Sequence, residues 1–215
     1  MLDLAATIDH TLLKPDAVRA DIAKLCEETV RYGFAGACVA GSWIPVVVEG
    51  LGGRGPKAIA VAGFPLGSSA TEAKAYEAEL LVGAGADEID TVIHLGHAKA
   101  GRWDAVEADL EAIVDAASGR PVKAILETGL LTHAEIVRAA EAAVSAGVAF
   151  VKTSTGFGHG GATVKVVRLL RETVGDRAQV KASGGIRTRK QALAMLEAGA
   201  DRIGASASVA IVEGA

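Results

Sequence analysis

The sequence predicts an α/β protein built as a single (β/α)8 TIM barrel over residues 1–215, and three observations carry that prediction. Strand-like and helix-like patterns alternate eight times with no linker between them, which is the signature of βαβ units around a parallel sheet. Three helical segments end on the same punctuation, Ala84-Gly85, Ala146-Gly147 and Ala198-Gly199, each followed by a short strand-like run. Lys123, Lys152 and Lys181 fall inside three successive strand patterns at a constant spacing of 29 residues. Eight such units in 215 residues match a compact barrel near the lower end of that architecture's size range. An open doubly wound sheet is the structural alternative; it would carry a glycine-rich dinucleotide turn after its first strand, and none stands there.

The elements follow in order. Strand one is placed over 4–10, with Asp9 and Thr11 at its end, and a helix over 16–32 holds Cys26 within IAKLCEET as a small buried hydrophobe. Strand two, 36–40, ends near Cys38, and the helix 43–51 opens at Trp43. Strand three covers 57–62, and its helix, 71–84, closes at Gly85. Strand four, 87–93, holds Asp90 in DEIDTV before a helix over 103–118 that opens at Trp103. Strand five, 121–127, holds Lys123 in PVKAIL, and the helix 132–146 closes at Gly147. Strand six, 149–154, holds Lys152 in FVKTSTGF and leads to a helix over 161–174. Strand seven, 179–183, holds Lys181 in QVKASGGI, and the helix 188–198 closes at Gly199. Strand eight, 201–205, runs through Gly204-Ala205-Ser206 into a last helix over 206–213. Gly85, Gly147 and Gly199 suit the left-handed position that ends a helix before a tight loop, because glycine has no Cβ to clash there.

Composition narrows the function classes. Half the residues are hydrophobic and only 4% are aromatic, so Ala, Val, Leu and Ile must build the core. The net charge is −4 with both signs interspersed; no basic stripe is present, so a nucleic-acid partner is not expected. No apolar run approaches the ~20 residues that span a bilayer, and the N-terminus lacks a basic start followed by an apolar stretch. A cytoplasmic protein with no membrane partner is the expectation. Cys26 and Cys38 show no paired or metal-ligand spacing, so neither a disulfide nor a metal site is expected from them. Trp43 and Trp103, at helix starts, are read as packing residues, with subunit contact as the alternative.

Charged residues inside the strands carry the chemistry. A parallel strand is covered on both faces, so a lysine there is costly unless it faces an interior site. Three lysines in register, with Asp90 on an earlier strand, point to the mouth formed by the C-terminal strand ends, where barrels keep their active sites. An amine attacks a carbonyl only when neutral, and a second cation or a desolvated pocket favours the neutral form. The expected arrangement is that one lysine forms a Schiff base and another lowers its proton affinity. The imine withdraws electrons, so a carbon–carbon bond beta to it breaks or forms without metal or cofactor. Lys152 precedes a polar run with Thr155 and Gly156 that is suited to substrate. Lys181 precedes Gly184 and Gly185, which suit a phosphate nest, and Gly204 and Ser206 end strand eight where a helix N-terminus faces an anion. Loops after strands seven and eight commonly hold phosphate in this architecture.

These motifs bring a family into view. IDHTLLKP from residue 8, AGFPLG at 62–67, GADEID at 85–90, VKAILETG at 122–129, FVKTSTGF at 150–157, VKASGGIR at 180–187 and RIGAS at 202–206 together resemble deoxyribose-phosphate aldolase over nearly the whole chain. The resemblance implies reversible cleavage of 2-deoxy-D-ribose 5-phosphate to D-glyceraldehyde 3-phosphate and acetaldehyde, with sugar phosphate and aldehyde as partners. It implies Lys152 as the Schiff-base lysine, Lys181 as the perturbing cation, Asp90 as proton donor and acceptor through water, Lys123 as support beside Asp90, and a homodimer. The sequence departs from the family pattern at Ala40–Trp43, at Thr91–His97, and at Ser206-Ala207, where the family pairs two serines.

Other polar residues carry two readings each. Asp9 and Thr11 suit contacts to substrate hydroxyls and equally suit caps. Cys38 suits the apolar side of the pocket near the two-carbon fragment, or simple packing. His10, His94 and His97 could form a metal site, but the last two fall in a glycine-rich strand-to-loop segment and are read as loop-lining. His159 in FGHGGAT is read as a solvated loop residue, with ordering of that loop as the alternative. Two further functions compete with the aldolase: a phosphate-binding isomerase using Asp90 as base with no covalent intermediate, and a non-catalytic sugar-phosphate binder. The lysine register argues against the binder, and an adduct on Lys152 separates the aldolase from the isomerase. A metal-dependent aldolase would lose activity to a chelator.

Overall fold

In a computed structural model that describes residues 3–214, eight parallel strands close on themselves. They are β1 Ile8–Leu12, β2 Gly36–Ala40, β3 Lys57–Ala62, β4 Glu88–Val92, β5 Val122–Ile125, β6 Phe150–Lys152, β7 Gln179–Ser183 and β8 Arg202–Ala205. Each strand pairs with the next, and Ile8 against Ile203 joins β1 to β8 and shuts the barrel. Among the described residues, nine helices surround it. They are α1 Arg19–Tyr32, α2 Ile44–Leu51, α3 Thr71–Gly83, α4 Leu95–Lys99, α5 Trp103–Ala116, α6 His133–Ser145, α7 Val164–Val174, α8 Arg189–Glu197 and α9 Ser208–Glu213. The predicted span 1–215 includes Met1, Leu2 and Ala215, which lie outside the described residues.

Alternation along each strand creates two interiors. Outward-facing Ala37, Val39, Ala58, Ala60, Ala62, Ala124, Ala182 and Ile203 are buried beneath the helices, and the many alanines let helix backbones come close. Ile22 on α1, Ile44 on α2, Leu110 and Ile113 on α5 and Leu170 on α7 fill the space between, fully buried. Burying each such side chain contributes about 1.5–3 kcal/mol, so this outer shell holds the barrel closed and leaves the inner face free for polar groups. Gly85, Gly147 and Gly199 have φ of +100°, +81° and +108°, as the repeated Ala-Gly punctuation requires.

Three of the differences from the sequence expectation have a visible local cause. Strand one runs over 8–12 instead of 4–10, because Leu4–Thr7 coil into a 3-10 turn whose Leu4 carbonyl accepts from both the Thr7 backbone N–H and hydroxyl. Helix one starts at Arg19, where the Asp21 carboxylate accepts from the Val18 N–H and caps the first turn. The segment after strand four, read as a glycine-rich loop, forms α4, because the His94 ring accepts a hydrogen bond from the His97 N–H and caps it.

Outside the barrel, α3, α5 and the β3–α3 loop are tied by a buried ion pair. Lys74 Nζ lies 2.5 Å from Asp109 and donates to the carbonyls of Gly67 and Val92, and Asp109 also accepts from the Thr71 hydroxyl. The loop that borders the barrel mouth is thereby anchored to two helices.

Candidate active site

Pairing register decides which charges meet inside the barrel. Asp90 on β4 is opposite Lys123 on β5, Lys152 on β6 is opposite Lys181 on β7, and Lys181 is opposite Arg202 on β8. Their side chains all point inward and converge on Asp90. Its carboxylate accepts from Lys123 at 2.7 Å, Lys152 at 2.8 Å and Lys181 at 2.7 Å. Lys181 also pairs with Asp9 at 2.6 Å, Asp9 with Arg202 at 2.7 Å, Arg202 with Glu88 at 3.5 Å, and Glu88 with Lys123 at 2.6 Å. Gly204 leaves room for this crossing, since a Cβ there would lie 3.1 Å from Lys181 Cε and 3.0 Å from Ser183 Cβ.

Charges this deeply buried persist only when paired and hydrogen-bonded. Burial by itself would raise the Asp90 pKa, but Lys123, Lys152 and Lys181 outweigh it and hold the carboxyl well below the usual carboxylate range. Asp9 behaves alike: burial opposes its charge, yet Lys181, Lys123 and Arg202 keep its pKa lowered. The two aspartates act in turn on Lys181, outweighing burial and raising its pKa, so that lysine stays an ammonium. Lys152 differs. Burial depresses its pKa, Asp90 opposes that, and the neighbouring Lys181 cation adds to the depression, so the net shift is downward. The cluster thus contains one lysine held charged and one biased towards the neutral amine.

A cavity of about 260 Å³ opens above the cluster at the C-terminal strand ends. Lys152 borders it, while Lys123 and Lys181 lie beneath with no exposed surface. Of the other residues singled out from sequence, Thr11, Thr155, Gly156, Gly184, Gly185, Gly204 and Ser206 line the cavity. Two do not. Asp9 is wholly buried below it, with both oxygens committed to Lys181 and Arg202, so it faces the charge network and not a substrate hydroxyl. Cys38 is wholly buried against Ile59 and Val61, with Leu13 and Phe64 packed on that group, and burial raises its thiol pKa.

The polar run after Lys152 divides its labour. Thr153 exchanges two hydrogen bonds with the Ser183 backbone, and Ser183 donates to the Ser154 carbonyl, which locks the end of β6 to β7. Thr155 and Gly156 reach the cavity. The histidines do not converge: His10 pairs with Glu28 of α1, whereas His94 and His97 stack on each other at α4. Among the described residues no group of His, Cys, Asp and Glu is arranged to hold a metal.

Several residues at the site had escaped sequence reasoning. Glu127, buried at a left-handed φ of +51°, accepts from the Thr155 hydroxyl and backbone N–H and so sets the loop after β6. Only its place beside the lysine strand, within LETG, hinted at a role. Glu88 and Arg202 complete the charge network from the N-terminal side, and Lys14 and Arg187 line the cavity. The alternation Glu88-x-Asp90 was a readable sign that both face inward.

Residues 4–214 match the family described as DeoC/LacD family aldolase. Deoxyribose-phosphate aldolase of Finegoldia magna is 50% identical over 213 residues, covering 99% of this chain and all of that one. Deoxyribose-phosphate aldolase of a Geobacillus species is 52% identical, covering 99% of this chain and 96% of that one. The solved tetrameric structure of deoxyribose phosphate aldolase from Aeropyrum pernix superposes with a TM-score of 0.90 at 37% identity, covering 98% of this chain and 89% of that one.

Proposed function

The chain belongs to the DeoC/LacD family of aldolases, and from that premise we propose that it reversibly cleaves 2-deoxy-D-ribose 5-phosphate to D-glyceraldehyde 3-phosphate and acetaldehyde through a Schiff base on Lys152. One observation carries the choice of lysine. Of the three strand lysines, Lys152 alone borders the cavity, and its ammonium has no carboxylate of its own, sharing Asp90 with two others.

In the cleavage direction the neutral Lys152 amine adds to the C1 carbonyl of the open-chain sugar, and loss of water leaves a protonated imine. Removal of the C3 hydroxyl proton then breaks the C2–C3 bond, and the electron pair moves to the imine, forming an enamine and releasing glyceraldehyde phosphate. Protonation at C2 and hydrolysis release acetaldehyde and restore the amine. The imine is the electron sink, so the step needs no metal.

Lys181 is the cation that favours the neutral amine, and Lys123 steadies the other oxygen of Asp90. Asp90 stays ionised among these cations, and its place between Lys152 and Lys181 suits it to orienting a water that carries protons between substrate and the ammonium groups. Gly184 and Gly185, both at positive φ, line the same cavity as Lys152 together with Arg187 and Ser206, which supports a phosphate position beside them.

The working form is a homo-oligomer, a dimer in the simplest case. Tyr76 and Leu80 lie one turn apart on α3 and are 60% and 54% exposed, and the Aeropyrum pernix relative is tetrameric. A cytoplasmic setting suits a sugar-phosphate enzyme, and among the described residues no helix is long and apolar enough to cross a membrane.

The test is borohydride reduction in the presence of acetaldehyde, followed by peptide mass mapping, on the native protein and on Lys152→Ala. A two-carbon adduct on the Lys152 peptide, lost in the variant together with sugar-phosphate cleavage, is the expected result. No adduct and no cleavage by the native protein would overturn the reading in favour of a non-covalent isomerase.

A further inference from the structure

Six charged side chains close a circuit beneath Lys152. It runs from Asp90 to Lys123, Glu88, Arg202, Asp9 and Lys181, and returns to Asp90, with every link an ion pair. Signs alternate around it, three carboxylates and three cations, so the circuit alone is neutral. Lys152 joins from above as a fourth cation, through Asp90 only. We propose that Glu88 and Arg202, on the side of the circuit away from the cavity, are positioning residues that set the protonation of Lys152 by keeping the circuit charge-balanced. The inference deepens the aldolase reading and rests on Lys152 being the imine-forming amine.

Geometry makes a charge change at either residue felt above. Asp9, Asp90, Lys123 and Lys181 have no exposed surface, Glu88 is 6% exposed, and only the Arg202 side chain, at 17%, approaches solvent. The Phe150 ring lies against this level, 5.5 Å from the Arg202 guanidinium and 5.7 Å from the Lys123 ammonium, and contributes an apolar floor. Little water is therefore available to screen the circuit, and interactions within it carry farther than at a surface. The remaining charged or titratable groups near Lys152 are Cys38 on β2, Glu127 bound to Thr155, and Lys14 and Arg187 at the cavity wall; β3 presents Ile59 and Val61. None of these belongs to the circuit, so none restores its balance when Glu88 or Arg202 loses charge.

The sign of the effect follows from the count. Glu88→Gln leaves the circuit one positive charge in excess, disfavours a fourth cation and moves the Lys152 titration down. Arg202→Gln leaves it one negative charge in excess and moves the titration up. A unit charge roughly 10 Å away across an effective dielectric near 20 shifts a titration by about one pH unit. The double variant is balanced again, and Glu88→Asp never loses balance.

The readout is the pH dependence of acetaldehyde trapping on Lys152 by cyanoborohydride, whose rate climbs along an acidic limb as the amine deprotonates. The expected result is a limb shifted down about one pH unit in Glu88→Gln, up about one in Arg202→Gln, and within about 0.3 unit of wild type in the double variant and in Glu88→Asp. Damage to folding alone lowers the rate without moving the two limbs in opposite directions. Limbs that move the same way, or stay in place, overturn the proposal while leaving the aldolase reading intact. If Arg202→Gln does not fold, Glu88→Gln against Glu88→Asp decides, and an unshifted Gln variant overturns it. A wild-type protein that traps no acetaldehyde on Lys152 overturns both.

Discussion

Replacing Asp90 with asparagine separates the two halves of the chemistry. The side chain keeps its shape but loses the charge that three lysines share at 2.7–2.8 Å. Removing one member of a buried ionic cluster costs about 3–5 kcal/mol, against a total of about 5–15 kcal/mol for a folded domain, so the barrel weakens but persists. Without Asp90, even a neutral Lys152 leaves Lys123, Lys181 and Arg202 facing only Asp9 and Glu88, one positive charge in excess. Asp90 is also the chief group that raises the Lys152 pKa, so its loss favours the neutral amine further. Imine formation should therefore survive and extend to lower pH. Proton transfer to and from substrate should not, and a missing acid–base group costs about 10²–10⁴ in rate. Acetaldehyde trapping, a coupled assay for released glyceraldehyde phosphate, and urea denaturation measure the three consequences on one preparation. Turnover within about tenfold of wild type would refute the proton-transfer role. Loss of trapping in folded Asp90→Asn protein would refute the electrostatic reasoning, because it would make Asp90 necessary for the amine itself.

Two further variants test the scaffold around the site. Asp109→Ala strands the Lys74 ammonium, which has no exposed surface, between two backbone carbonyls. Urea denaturation should show a loss of about 3–5 kcal/mol, largely recovered by Lys74→Met with Asp109→Leu, and a loss below about 1 kcal/mol would contradict the pair's role. Gly161→Ala would place a Cβ 2.3 Å from the Gly184 carbonyl and push the β6–α7 loop off the glycine pair at the cavity wall. The KM for the phosphorylated sugar should rise roughly ten- to hundredfold while trapping of unphosphorylated acetaldehyde is unchanged; an equal loss in both would place the phosphate elsewhere.

The eightfold alternation, the 29-residue lysine spacing and the Ala-Gly helix ends were legible in the chain, and so were the facing of Lys123, Lys152 and Lys181 and the polarity of the loops above them. Each depends on local geometry: strand alternation, helix termination and the length of one βα unit repeat wherever the same residues recur. The 3-10 turn at Ala5–Thr7 and the helix at Leu95–Lys99 were not legible, because single side-chain hydrogen bonds from Thr7 and to His94 tip segments whose apolar pattern is ambiguous. Nor was the depth of Asp9 and Cys38, which the alternation places inward but whose height in the barrel depends on strand register.

Sequence by itself determined the fold class, the family resemblance and the strand lysines that meet inside the barrel. Only the tertiary structure decided that Asp90 is shared by three lysines, that Glu127 holds Thr155, and that Glu88, Arg202 and Asp9 close a circuit under Lys152. The reason is physical. Periodicity is written in neighbouring residues, whereas a Coulomb interaction depends on distance through space, and Asp9 meets Arg202 across 193 residues of chain only because the barrel closes.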